Sequence, residues 1–142
     1  MQEKKYIGNI TPEAFARYGD VIALKPTSID GWEVVVRVSD KGWRIAVLEF
    51  SRKATGELEK HSDSRESFEP LKGVALLLVS VDAEPENFEV FLLDQPVCLY
   101  AGIWHQIISI SEVSQVKITE NLEVSCVYHQ LLNEYQGFVT AK

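Results

Sequence analysis

This chain has little with which to staple itself. Of its 142 residues only Cys98 and Cys126 carry a thiol. Neither has a CxxC-type neighbour and both lie among strand-forming apolar residues, so both are expected to be reduced core thiols. Basic residues are scarce as well: 14 Lys and Arg stand against 21 Asp and Glu, a formal charge of −7. That balance argues against a nucleic-acid partner, because phosphate binding needs a basic surface. Met1–Gly8 has two lysines but no apolar segment of the kind that opens a secretion signal. The longest apolar run, Val74–Val79, is too short to cross a bilayer. Low-complexity tracts, linkers and long helical repeats are missing too. The expectation is one cytoplasmic domain spanning residues 1–142, with no membrane partner and with a small molecule or another protein as its partner. A chain of this length hides roughly 68–70% of its extended surface, so it needs neither disulfide nor metal merely to fold.

What the chain does have is strand after strand. Thr11-Pro12-Glu13 predicts a short helix, with a Thr cap, a proline at the first position and an acid in the first turn, and Gly19 stops it. Asp20-Val21-Ile22 begins an extended segment. Strands are then expected at Trp32–Val38, Arg44–Phe50, Glu57–His61, Val74–Val81, Phe88–Leu93, Val97–Tyr100, Ile107–Ile110, Val116–Ile118 and Val124–Leu131. Lys53–Gly56 is expected to turn. Short strands with turn signals every 8–12 residues or so predict an all-β barrel or sandwich.

Two polar stretches interrupt this pattern. In the first, Glu59 and His61 are two apart, so on a strand they leave the same face, and the turn-forming Ser62-Asp63-Ser64 can swing Glu66 back toward it. In the second, Tyr100-Ala101-Gly102-Ile103-Trp104-His105 brings another histidine. Glu59, His61, Glu66 and His105 are of the residue types that bind a divalent metal ion. Left without metal, the same side chains would act as acid and base, and solvated loop carboxylates are the bland reading of the two glutamates.

Glu59-x-His61-x4-Glu66-x6-Gly73 resembles the first motif of the cupins, with Glu59 in a slot usually held by histidine. Tyr100-x-Gly102-x2-His105 resembles the second, with Tyr100 where proline is usual. The resemblance implies a cupin jelly-roll (double-stranded β-helix) barrel with a short N-terminal helix. It also implies a divalent metal (Mn, Fe, Ni or Zn) on Glu59, His61, Glu66 and His105. A narrower likeness covers most of the chain. Glu13-Ala14-Phe15 with Tyr18-Gly19-Asp20-Val21-Ile22, then Glu59-x-His61, Ser64, Phe68 and Pro70, then Gly102-x-Trp104-His105, is similar to the ureidoglycolate lyase (ureidoglycolate hydrolase) family.

That family implies a cupin homodimer that releases urea from ureidoglycolate to give glyoxylate. The catalytic candidates are His105, Glu66 and His61, and the candidate substrate contacts are Arg52, which resembles an arginine near the family's pocket, and Ser64. The departures are specific. Gln106 and Ile107 stand where the family usually has a second His and a Pro, Glu66 stands where it usually has Gln, and Lys117-Ile118-Thr119-Glu120 replaces its Asp-Arg-Gly segment. The alternatives are another metal-dependent cupin enzyme (an isomerase or dioxygenase) and a non-catalytic small-molecule-binding cupin. Alternation points Trp104 away from the His105 side, into packing. His129 is read as structural or interfacial, and Trp32 and Trp43 as packing or dimer-contact residues.

Overall fold

The computed structural model describes residues 4–23, 25–30, 35–38 and 42–137. The helix is one turn, α1 (Pro12–Phe15), and the Thr11 hydroxyl caps it by accepting from the Ala14 amide at 3.0 Å. Its buried Phe15 meets Tyr18 and Phe91 edge-on, at ring separations of 5.7 and 5.2 Å. Eleven strands follow the chain: β1 (Ile7–Asn9), β2 (Gly19–Val21), β3 (Trp43–Phe50), β4 (Ala54–Lys60), β5 (Glu66–Lys72), β6 (Ala75–Ser80), β7 (Glu89–Leu92), β8 (Val97–Leu99), β9 (Trp104–Ser109), β10 (Ser114–Asn121) and β11 (Val127–Gln136).

They form two sheets, ordered β1-β7-β6-β9-β4-β11 and β2-β8-β5-β10-β3. From β3 onward the chain changes sheet at every step except the β6–β7 hairpin. This alternation between two mainly antiparallel sheets is the jelly roll, and the fold is the expected all-β jelly-roll barrel.

The pleat decides what fills the barrel. On β9, His105 and Ile107 face inward, where Ile107 joins a core with Phe50, Phe68, Leu77, Phe91, Val116 and Ile118. Trp104 and Ile108 face the other way, into a second cluster with Leu58, Leu76, Leu78 and Tyr135. Trp104 is thus on the face opposite His105, as alternation predicts, and its indole N–H donates to the Asp82 carbonyl at 3.0 Å.

Several boundaries differ from the sequence reading. Residues 35–38 are not strand, and residues 32–34, with Trp32, lie outside the described residues. The expected turn at Lys53–Gly56 is mostly the start of β4, and β11 begins three residues later than expected and runs to Gln136. Strand β5 was not foreseen, because its composition, with Glu66, Ser67, Glu69 and Pro70, hides the alternation. Trp43 is exposed on β3, so it is not a packing residue within this chain. Among the described residues no helix is long and apolar enough to cross a membrane.

Candidate functional site

Strands β4 and β9 are in register at one pair of residues, Glu59 opposite His105. The backbone reinforces that meeting. Gly102, at φ +79°, makes the turn that leads into β9, and its amide donates to the His61 carbonyl at 2.8 Å. The two ligand-bearing stretches are therefore hydrogen-bonded to one another. Across the barrel, Glu66 opens β5 and points inward beside Phe68.

The result is a buried triad. His105 Nε2 lies 2.8 Å and His61 Nε2 3.1 Å from Glu66 Oε2, and Glu59 Oε1 is 3.6 Å from His105 Nε2. The ligand-type atoms of His61, Glu66 and His105 all fall within 4.8 Å of one another. Both rings are held from behind. His61 Nδ1 is 2.9 Å from the Ser125 carbonyl and His105 Nδ1 is 2.9 Å from the Ile103 carbonyl. A carbonyl only accepts, so each Nδ1 carries a proton, and each ring can offer an Nε2 lone pair to the centre once its Nε2 proton is displaced.

Electrostatics at this centre follow from the crowding. Burial alone would raise the Glu66 carboxyl, but contacts with His105 and His61 outweigh it and hold the group at about 2. Burial would lower His105, but contacts with Glu59 and Glu66 push it up to about 10. Glu59 is lowered mainly by its contact with His105, and His61 is raised mainly by Glu66. Proton sharing nevertheless leaves polar capacity over: Glu66 Oε2 and His105 Nε2 are buried without a properly aligned hydrogen-bond partner. A divalent cation would satisfy both atoms at once, and two imidazoles with one or two carboxylates suit a borderline or hard ion. The residues present fit the metal.

Beside the triad lies a cavity of about 230 Å³. Its polar wall includes Arg52, Glu57, Glu59, Gln106 and Tyr128, and its apolar end is made by Leu48, Phe68, Ile107 and Ile118. Arg52 donates from Nη1 to Gln106 Oε1 at 3.0 Å. The structure therefore brings Glu59, His61, Glu66, His105 and Arg52 to one place.

Ser64 is used otherwise. Its buried hydroxyl donates to the Arg65 carbonyl at 2.6 Å and accepts from the Asn121 amide at 3.0 Å, tying the start of β5 to the end of β10. Cys98 is a buried free thiol, as expected. Cys126 is not: it is exposed, just ahead of β11, with its sulfur 3.5 Å from His61 Nδ1. Glu59, His61 and Cys126 form a second ligand-type group that shares His61 with the first, so Cys126 belongs to the rim of the same site. His129 is structural, its Nε2 being 2.8 Å from Glu86 Oε1. Tyr128 was not anticipated. It reaches the cavity because β11 pairs it with Glu59 on β4, a register no local pattern reveals.

No family model matches the sequence, and no curated protein does. Among solved structures the chain is similar to an oxalate decarboxylase of Bacillus subtilis studied for its Mn(II) centres, with a TM-score of 0.47 and 15% identity. That likeness covers 64% of this chain and only 24% of the decarboxylase, so the chain spans about a quarter of that protein's length. It is also similar to a dTDP sugar isomerase of Desulfovibrio desulfuricans G20, with a TM-score of 0.45 and 10% identity over 87% of this chain and 84% of that one.

Proposed function

We propose that the chain is a metal-dependent enzyme that cleaves the carbon–nitrogen bond of a small α-hydroxy acid amide, as a ureidoglycolate lyase does in giving glyoxylate and urea. The observation that carries this reading is the convergence of His61, Glu66 and His105 on one buried point beside a small cavity that also holds Arg52. His61, Glu66 and His105 would hold the divalent ion, leaving Glu59, the expected fourth ligand, available as the base. Bound there, it would lower the pKa of the substrate hydroxyl and offset nearby negative charge.

The chain's own residues supply the rest. Arg52 takes the substrate carboxylate through paired N–H donors. Glu59, half-buried at the cavity edge and kept ionised by its contact with His105, accepts the hydroxyl proton as the C–N bond breaks. The bonding pair leaves with nitrogen, the carbon becomes a carbonyl, and Glu59 returns the proton to that nitrogen. Leu48, Phe68, Ile107 and Ile118 keep water from one end of the cavity.

Incubation of purified protein with ureidoglycolate and each of manganese, iron, nickel and zinc tests the reading. Urea and glyoxylate released in equal amounts are expected. If the folded, metal-supplied protein releases neither, the lyase reading is abandoned for another metal-dependent cupin enzyme or a binding module.

A homodimer is part of the proposal. Trp43, Ile45 and Val47 alternate along β3 and are all exposed, which supports burial against a second copy. Sedimentation showing only monomer at micromolar concentration would rule it out.

A further inference from the structure

We propose that Gln106 is a positioning residue for Arg52, fixing the guanidinium at the cavity wall while leaving its charge free for a substrate carboxylate. The inference rests on the reading of the cavity as a site for a small organic acid, and adds what makes it selective for anions.

Gln106 follows His105 on β9 and is itself buried, 7% exposed. Its amide oxygen accepts twice, from Arg52 Nη1 at 3.0 Å and from the Ile107 amide at 3.1 Å. The second bond has a structural cause. Strands β4 and β9 share only the Glu59–His105 pair, so amides beyond it need other acceptors, and Gln106 folds back to supply one. The side chain is thereby locked at its backbone end and presents a fixed oxygen to the arginine. Arg52 is held at its own backbone too, where its carbonyl accepts from the Ser109 amide at 2.8 Å.

The chemistry of the acceptor is what matters. The cavity wall carries Glu57, Glu59 and Glu66, yet among the described residues the Arg52 guanidinium forms no ion pair with any carboxylate. A carboxylate acceptor would orient Arg52 equally well but would neutralise it. A neutral amide orients it and uses one of its five N–H donors, leaving the others for a bidentate carboxylate. Histidine at this position would add a second titrating ring beside His105.

The test uses glycolate as the probe, titrated calorimetrically into the as-purified protein and into Gln106→Glu, Gln106→Leu, Arg52→Ala and the Arg52→Ala/Gln106→Glu double variant. Gln106→Glu keeps an acceptor for both N–H groups, so its thermal unfolding stays close to that of the natural chain. Its glycolate affinity should nevertheless fall at least about tenfold, approaching that of Arg52→Ala, while Gln106→Leu should fall less. The decisive readout is the double variant, which should bind no more weakly than Arg52→Ala, because Gln106 acts through Arg52. Glycolate binding unchanged in Gln106→Glu, or a full Gln106→Glu effect persisting without Arg52, overturns the positioning role and leaves the substrate reading standing. Natural protein that binds glycolate no better than Arg52→Ala does overturns the substrate reading and this inference with it.

Discussion

His105 Nε2 stands 2.8 Å from Glu66 Oε2, and neither atom has an aligned hydrogen-bond partner. Each is oriented from outside: the Ile103 carbonyl fixes the tautomer of His105, and the fold of β5 fixes Glu66. Two imidazoles and two carboxylates crowded on a common point need positive charge there, supplied by protons in the metal-free protein and by a cation when one binds. The protein is therefore expected to bind about one divalent ion per chain after reconstitution. Glu66→Gln and His105→Ala should each abolish most of this binding. A ligand at 100-fold its Kd adds about 2.7 kcal/mol, so chelation should lower Tm by several degrees. Elemental analysis and a melting curve decide it; full metal content in both variants would disprove this ligand set.

Acidity provides an independent check on the metal-free protein. Glu66 is depressed from 4.5 to about 2, so its contribution to stability is complete above pH 4.5 and is lost as pH falls toward 2. His105 is raised from 6.5 to about 10, so its contribution is complete below pH 6.5 and is lost as pH rises toward 10. Both are in force between pH 4.5 and 6.5. The chelated protein should melt highest in that window and lower on either side. Metal acts with the opposite sign, since it needs unprotonated imidazole, and its stabilisation should grow from pH 5 to pH 8. Thermal scans across pH with and without manganese measure both. A chelated Tm that is flat from pH 6.5 to 9 would contradict the buried imidazolium–carboxylate contact.

Some of this site was legible in the sequence, and the limit is physical. Glu59 and His61 could be paired because a strand repeats every two residues; His105 was placed with them through the resemblance of Tyr100-x-Gly102-x2-His105 to a known motif, its strand starting at Trp104 and not at the expected Ile107. The bonding of the Ser64 hydroxyl could not be read locally, because its partner Asn121 lies far along the chain on β10. Cys126 looked like a core thiol because β11 was expected to begin before it; the strand starts at Val127, leaving Cys126 exposed. Tyr128 enters the cavity only through the β4–β11 register. Non-local pairing carries that information, and no local pattern of residues encodes it.

Gly73 tests the backbone that delivers β5 into β6. Its φ is +74°, and a Cβ there would sit 2.5 Å from the Val113 carbonyl oxygen. Gly56, by contrast, has nothing within 4 Å of where a Cβ would go. Gly73→Ala should lose about 1–3 kcal/mol from strain at a positive φ, with more from the clash. Gly56→Ala should change stability little. Urea unfolding compares them, and equal midpoints for the two variants would refute the assigned turn.

The last prediction separates three residues that the sequence placed in one site. His105→Ala removes a ligand and should reduce kcat on ureidoglycolate by about 10²–10⁴-fold, as loss of a group acting in the transition state does. Arg52→Ala removes an interaction made with the substrate carboxylate before and during reaction, so it should mainly raise KM. Ser64→Ala should do neither. Its hydroxyl serves the Asn121 amide and the Arg65 carbonyl, and its loss removes both half-buried bonds, costing about 1–3 kcal/mol of stability. Kinetics and urea unfolding on the same three preparations distinguish the roles. A Ser64→Ala protein of native stability with a raised KM would return that serine to the substrate and remove the structural role assigned to it here.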